Sequence, residues 1–254
     1  MNLNKIQKNV VGLLLTSVLF FGFSSNAQAM HIMEGYLPLG YCVAWGALCL
    51  PFLIWGVVAI RRLVEKDRKI LLLLAMMGAF AFVLSALKIP SVSGSSSHPT
   101  GTGLGAVLFG PAPMAIIGII VLLFQAVLLA HGGLSTLGAN TFSMGIAGPF
   151  VSYGVFVLLR KVKLPRAAAV GIACGLGDLV TYCVTSVQLG LAHPSAVGGV
   201  MASIVKFMGI FAVTQVPLAI MEGILSAVVV LMLESFAKPE LQQIGYLKEA
   251  AVHE

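Results

Sequence analysis

The sequence predicts an all-α integral membrane protein, a bundle of about seven transmembrane helices of roughly 20 residues each. The chain of 254 residues is 59% hydrophobic and only 9% charged, and its mean hydropathy is +1.01. An average soluble domain has about 25% charged residues. The basic residues cluster in short loops beside apolar segments, so the net charge of +6 indicates membrane topology and not nucleic-acid binding.

The first 29 residues have the pattern of a secretory signal peptide. Two lysines precede an apolar run of about 14 residues, and the small residues Ala27 and Ala29 fit a cleavage site. The run is short for a membrane helix, which needs roughly 20 residues. We expect cleavage after Ala29, which leaves residues 30–254 as one transmembrane domain that starts with Met30. An uncleaved first membrane helix is the alternative.

Apolar runs separated by basic, Gly-rich and Pro-rich segments predict seven helical segments. Residues 41–60 and 70–87 should cross the membrane and are joined by a basic turn of the cytoplasmic type. The other expected segments are a short half-helix and four spans, at residues 103–109, 112–130, 140–159, 167–191 and 217–236. Gly and Pro punctuation at the ends of the half-helix predicts non-helical backbone at membrane depth, so residues 103–113 should face the bundle interior.

Basic residues also predict the orientation of the chain. The cluster at residues 160–166 should lie in the cytoplasm, together with the first basic turn and the polar tail after residue 238. The mature N-terminus should then lie outside, on the same side as the Ser-rich loop that contains His98.

Met30 and His31 form a chelating pair once the signal peptide is removed. The α-amine of Met30, the amide of His31 and the His31 imidazole can close fused five- and six-membered rings around one metal ion. His98 is the expected fourth donor because its flexible loop must be anchored. Four nitrogens in a plane suit Ni(II), Cu(II) or low-spin Co(II), and they disfavour zinc and magnesium.

Other polar residues are candidates for supporting this site. Glu34, His131 and Asn140 could each orient a ligating imidazole. An interfacial charge is the alternative role for Glu34, and helix capping is the alternative for the other two. We expect no role in metal binding for His193 and His253.

Two carboxyl groups lie in or near apolar segments, where charge is costly. Such residues are functional or paired by default, and these are Asp178 and Glu222. Pairing with Lys206 is the structural alternative, and the sequence leaves the choice open.

Three segments resemble the CbiM/NikM family, whose members are substrate-capture components of energy-coupling factor (ECF) importers for cobalt and nickel. They are residues 30–38 (MHIMEGYLP), 93–101 (SGSSSHPTG) and 131–140 (HGGLSTLGAN). The resemblance implies a seven-helix fold in the bacterial cytoplasmic membrane with the mature N-terminus inserted at the outer face. It also implies Co(II) bound by Met30, His31 and His98, with import serving cobalamin biosynthesis. The serine-rich loop is more similar to the cobalt branch, and Ni(II) is the alternative.

The resemblance further implies three protein partners besides membrane lipid: a small CbiN-like membrane subunit, a CbiQ-like transmembrane coupling subunit and a CbiO-like cytoplasmic ATPase. A separate small subunit is expected because the chain ends soon after its last span. We expect the coupling subunit to contact Ala75 and Ala79, which share one helix face.

Motifs of catalysis are missing from the sequence. It contains no Gly-x-x-x-x-Gly-Lys-Ser/Thr phosphate loop, so ATP hydrolysis is expected in a partner. It also lacks His-Glu-x-x-His and Gly-x-Ser-x-Gly, which argues against an enzyme or a catalytic cofactor. A secondary transporter with a midplane ion path is the remaining alternative.

Overall fold

The computed structural model describes residues 28–29, 31–87, 89–90 and 95–247, and this part of the chain is almost entirely helical. Its helices are α1 Leu39–Lys66, α2 Ile70–Ala86, α3 Thr102–Phe109, α4 Pro111–Leu129, α5 Leu137–Lys161, α6 Arg166–Ala192, α7 Gly199–Phe236 and α8 Lys238–Gln243. Five of them, α1, α4, α5, α6 and α7, are long and apolar enough to cross a membrane. Helix α2 is apolar but has only 17 residues. The expected all-α membrane fold is confirmed.

The last long helix differs from the sequence prediction. Helix α7 begins at Gly199 and continues for 38 residues, whereas the prediction started it at Pro217. That prediction was wrong because it treated Pro217 as a helix start. A proline inside a helix removes one backbone hydrogen bond and can kink the helix. Packing against neighbouring helices tolerates this loss in membrane proteins.

Helix α3 is the expected half-helix, and it lies inside the bundle. Every residue from Thr102 to Leu108 is buried. Gly103 allows this close packing, because a Cβ atom there would lie 2.7 Å from the Ser152 hydroxyl oxygen and 3.1 Å from the Cα atom of Cys174. The prediction that this segment faces the interior is confirmed.

Helix α5 contains a widened turn close to its start. Residues Thr141–Ala147 form a π-helix, and the backbone N–H of Gly148 bonds to the Ser143 carbonyl five residues earlier. Pro149 follows directly and has no N–H to continue the normal α-helical ladder, which favours the wider turn. The turn begins immediately after Asn140.

A small three-stranded sheet lies beside the helices. Its strands are β1 Gln28–Ala29, β2 Ile89–Pro90 and β3 Ser95–Ser97, in the order β1-β3-β2. Strand β1 pairs in parallel with β3, and β2 pairs with it in antiparallel. The residues next to the expected cleavage site therefore lie beside the strand that leads into His98.

The basic turns meet the C-terminal segment at one end of the bundle. Arg166 forms an ion pair of 2.8 Å with Glu234, near the end of α7. The side-chain amide of Gln243 donates to the carboxylate of Asp67, in the turn between α1 and α2. The histidines lie at the other end, because His31 precedes the start of α1.

Candidate metal centre

Three buried histidines come together from three separate segments of the chain. His31 belongs to the segment before α1, His98 follows β3, and His131 lies in the turn after α4. Their solvent-exposed fractions are 2%, 0% and 1%. The potential ligand nitrogens all lie within 4.8 Å of one another. Three imidazoles that converge at this distance are a nitrogen-rich candidate site for a divalent transition metal.

Gln125 determines the tautomer of His31. Its side-chain N–H donates to the Ser85 hydroxyl, which leaves its oxygen directed at the imidazole. The Nε2 atom of His31 lies 3.1 Å from that oxygen and donates to it. Because neutral imidazole has one N–H, the Nδ1 atom of His31 carries the lone pair. Nδ1 is the ring nitrogen that forms a six-membered chelate with the amide of the same residue.

The backbone of Pro99 determines the tautomer of His98. The Nδ1 atom of His98 lies 2.9 Å from the Pro99 carbonyl oxygen. A carbonyl only accepts hydrogen bonds, so Nδ1 carries the proton and Nε2 carries the lone pair. The hydroxyl of Tyr182 donates to the His98 carbonyl over 3.2 Å. Ligating histidines commonly have their second ring nitrogen bonded in this manner.

Asn140 holds the chain beside His31 through the backbone of Ile32. The Ile32 N–H donates to the Asn140 side-chain oxygen at 2.9 Å, and the Asn140 amide donates back to the Ile32 carbonyl at 3.0 Å. The Thr136 hydroxyl donates to the same carbonyl at 2.5 Å. Asn140 thus positions the backbone that carries His31.

The turn at residues 130–133 brings His131 against the N-terminal segment. Ala130 ends α4 in the left-handed conformation, and the His131 N–H bonds to the Gln125 carbonyl at 3.1 Å. Gly132 has a φ of +78°, and a Cβ atom there would lie 3.3 Å from the His31 Cβ atom. A glycine is needed here for both reasons.

Glu34 and His193 anchor the N-terminal segment at other points. The Ser135 N–H donates to the Glu34 carboxylate at 3.1 Å. Hydrogen bonds from the Ser135 side chain and backbone hold the pKa of Glu34 below its ordinary value. The His193 ring bonds to the Tyr36 carbonyl at 2.8 Å and lies outside the three-histidine cluster.

The predicted site residues therefore divide into three groups. His31, His98 and His131 converge, while Glu34 and Asn140 bond to neighbouring backbone or hydroxyl groups. Met30 and His253 lie outside the described residues. The metal-binding role of these residues stays a prediction.

Sequence reasoning missed Gln125. The available signal was that Gln125 is the only amide or charged side chain in helix α4, whose other residues are apolar. A buried amide inside a membrane helix needs a hydrogen-bond partner, and here that partner is an imidazole.

Comparison with known proteins identifies the family. The sequence profile of CbiM, described as "Cobalt uptake substrate-specific transmembrane region", matches residues 31–241. The chain belongs to the CbiM family. A "Cobalt transport protein CbiM" from Lachnoclostridium phytofermentans is 58% identical over 243 residues, which cover 96% of this chain and 97% of that protein. One of the same name from Chlorobium limicola is 57% identical over 238 residues, 94% of each chain.

Solved structures agree with this family assignment. A crystal structure titled as a truncated transition metal transporter has a TM-score of 0.70 and 30% identity, and it covers 81% of this chain and 98% of its own. A second transition metal transporter has a TM-score of 0.69 and 32% identity, with coverage of 81% and 92%. The chain is a multi-pass membrane component of metal transport, and its relatives are transport proteins rather than enzymes.

Proposed function

We propose that this chain captures Co(II) at the outer face of the bacterial cytoplasmic membrane, as the substrate-specific subunit of an ATP-driven ECF importer. The observation that carries the proposal is the group of three buried imidazoles, whose ligand nitrogens lie within 4.8 Å of one another. Imidazole nitrogen suits late first-row metals, whereas calcium and magnesium prefer oxygen. The imported cobalt would supply cobalamin biosynthesis.

The proposed ligands are four nitrogens: the Met30 amine, the His31 amide, the His31 Nδ1 atom and the His98 Nε2 atom. The hydrogen bonds from His31 to Gln125 and from His98 to Pro99 support this set, because each leaves the required ring nitrogen unprotonated. His131 lies beside the set, with its ring centroid 4.7 Å from that of His31, and is proposed as a supporting residue that orients a ligating imidazole. Ni(II) suits the same donors, so a nickel-specific subunit of the same transporter class is the alternative.

The basic end of the bundle supports the proposed orientation. Cytoplasmic loops of membrane proteins carry an excess of Lys and Arg, so the end with the basic turns is assigned to the cytoplasm. The mature N-terminus and the histidine cluster are then outside, and the C-terminus is inside.

Energy and release are assigned to partner subunits. The sequence has no phosphate loop, so we assign ATP hydrolysis to a CbiO-like ATPase, with CbiQ-like coupling and CbiN-like small subunits. Ala75 and Ala79 are exposed on α2, where small residues allow close approach of a partner helix.

Metal titration of the purified mature protein tests the capture site. N-terminal sequencing first checks that the chain starts at Met30. Calorimetry with Co(II) and Ni(II) should then show one tightly bound ion per chain. A bulky residue at position 29 that blocks cleavage should abolish tight binding and leave the helical circular dichroism unchanged. No binding by the mature protein would refute the site. Because nitrogen sites generally bind Ni(II) more tightly than Co(II), nickel would be assigned only if the complete complex also takes up Ni(II) in preference to Co(II).

Uptake into vesicles tests the transport role. The complete complex should accumulate cobalt only when ATP is present on the cytoplasmic side, whereas the isolated chain should bind metal without sustained flux. Leucine at both Ala75 and Ala79 should reduce uptake and spare binding. Accumulation by the isolated chain without ATP would instead favour a secondary transporter.

A further inference from the structure

Glu222 is a carboxylate inside an apolar helix, and its bonds lead to the loop that carries His98. It lies on α7 with only 1% of its surface exposed. Its oxygens accept the Thr100 N–H at 2.5 Å and the Gly101 N–H at 3.0 Å. The Thr100 hydroxyl donates to the same carboxylate at 3.1 Å. All three donors lie within three residues of His98.

These donors favour an ionised Glu222 without a basic side chain, and the buried carboxyl of Asp178 on α6 lies close enough to interact with it directly. In the described part of the chain, the ion pair is that of Arg166 with Glu234, and Lys206 is exposed to the surroundings. Pairing with Lys206 is therefore not the explanation for Glu222. Two of the three donors are backbone N–H groups immediately before α3, where the helix dipole also favours negative charge. Hydrogen bonds to an ionised acceptor are roughly twice as strong as neutral ones.

The link from Glu222 to the imidazole of His98 is short and stiff. Pro99 alone separates His98 from Thr100, and its ring restricts the backbone dihedral φ. The Pro99 carbonyl also accepts the hydrogen bond from His98 Nδ1. A displacement of Thr100 therefore moves the ring of His98 and the acceptor that sets its tautomer.

We propose that Glu222 is a positioning residue for metal capture, which acts by holding the His98 loop in the geometry that binds the ion. This inference rests on the proposed function, because it assumes that His98 is a ligand. Glu222 does not touch the metal itself. Changes in the groups that orient a ligating histidine typically weaken metal binding by 10–100-fold.

The Glu222→Gln variant removes the charge and keeps the shape of the side chain. Its NH₂ group faces backbone N–H donors, so at least one of the three bonds is lost. We expect Co(II) affinity of the purified mature protein to fall by about 10–100-fold, the range for such orienting groups. Glu234→Gln is the matched control, because it neutralises a carboxylate on the same helix at the far end of the bundle. It should leave Co(II) affinity unchanged.

A double-mutant cycle with His98→Ala separates positioning from a general structural role. If Glu222 acts through His98, Glu222→Gln should change Co(II) affinity less than about twofold in the His98→Ala background, since coupled residues are not additive. The visible d–d spectra of the bound ion in the two single variants should also resemble each other. Fully additive losses of affinity would refute the proposal.

Two further measurements keep the outcome interpretable. If Glu222→Gln does not fold, Thr100→Val replaces it, because it removes one hydroxyl donor and keeps the backbone donors; unchanged affinity in this variant would overturn the inference. If the wild type binds no Co(II), or His98→Ala binds as well as the wild type, the proposed function fails. If those two behave as expected and Glu222→Gln binds normally, only the positioning role fails.

Discussion

His31 and His98 are held by different pairs of helices, although their ring centroids lie only 4.8 Å apart. The His31 segment bonds to α4 through Gln125 and to α5 through Asn140. Each of these bonds uses a neutral amide. The amide of Asn140 pairs with both the donor and the acceptor of one backbone residue, so it restrains the segment in two directions.

The His98 loop bonds instead to α6 and α7. The Tyr182 hydroxyl on α6 donates to the carbonyl of His98. The Glu222 carboxylate on α7 accepts hydrogen bonds from the backbone N–H groups of Thr100 and Gly101. A buried charge is costly unless it is hydrogen-bonded, so this loop and the carboxylate depend on each other. The comparison teaches that the site is a junction between two helix pairs and not the property of one loop.

The largest expected effect comes from the two proposed ligands, His31 and His98, which face each other across this junction. His31→Ala removes an arm of the chelate and should reduce Co(II) affinity below detection, whereas His98→Ala opens one position to water and should weaken it less. Calorimetry on the purified mature protein measures both. His193→Ala, outside the cluster, is the control and should bind as the wild type. Equal losses of Co(II) affinity in His31→Ala and His98→Ala would contradict a chelate formed by the N-terminus and His31.

Gln125→Leu tests the α4 side of the junction. The variant keeps a similar volume and removes the acceptor that sets the His31 tautomer, so Co(II) affinity should fall about 10–100-fold. Gln188→Leu is the matched control, because that buried amide bonds to the Ala139 carbonyl and not to an imidazole. The prediction is wrong if both variants lose affinity to the same extent.

Gly132→Ala tests the close approach between the His131 turn and His31. A left-handed backbone costs an L-residue roughly 1–2 kcal/mol, and the added methyl group would lie 3.1 Å from the Asn140 amide nitrogen. We expect a lower thermal midpoint and several-fold weaker Co(II) binding. Gly199→Ala has a similar φ of +63° with no atom within 4 Å, so it should lower stability and preserve affinity. If Gly199→Ala also weakens Co(II) binding, the close contact at Gly132 does not explain the loss of affinity.

The smallest effect is expected at Glu34, on the exposed edge of the His31 segment. Because the folded pKa is below the ordinary value of 4.5, ionised Glu34 stabilises the fold above that pH. The contribution is lost as the pH falls through the lowered folded value. Glu34→Gln should therefore melt slightly earlier than the wild type at neutral pH and equally at acidic pH. Thermal melts in detergent measure this difference in melting temperature across the pH range. A difference that does not change with pH would show that the Glu34 carboxylate has no such role.

The apolar runs were sufficient to predict most helix positions, because a membrane span has a nearly fixed length. Prolines were ambiguous: Pro111 begins α4, whereas Pro217 lies inside α7. The chelating pair could be proposed from the sequence because its chemistry is local, and it stays a prediction. The hydrogen bonds of Gln125 and Glu222 could not be predicted, since their partners lie 94 and 122 residues away and only the fold brings them together.

The division of the site between two helix pairs has a consequence for how the ion would leave. Metal–nitrogen bonds in proteins keep their lengths within about 0.2 Å. A slide of α7 by roughly 1 Å, a size typical of helix shifts at interfaces, would carry the His98 loop beyond that tolerance through Glu222. The remaining donors would stay on the other helix pair. We therefore expect that unloading needs no wide pore, only a small shear that a neighbouring subunit could impose on the last long helix.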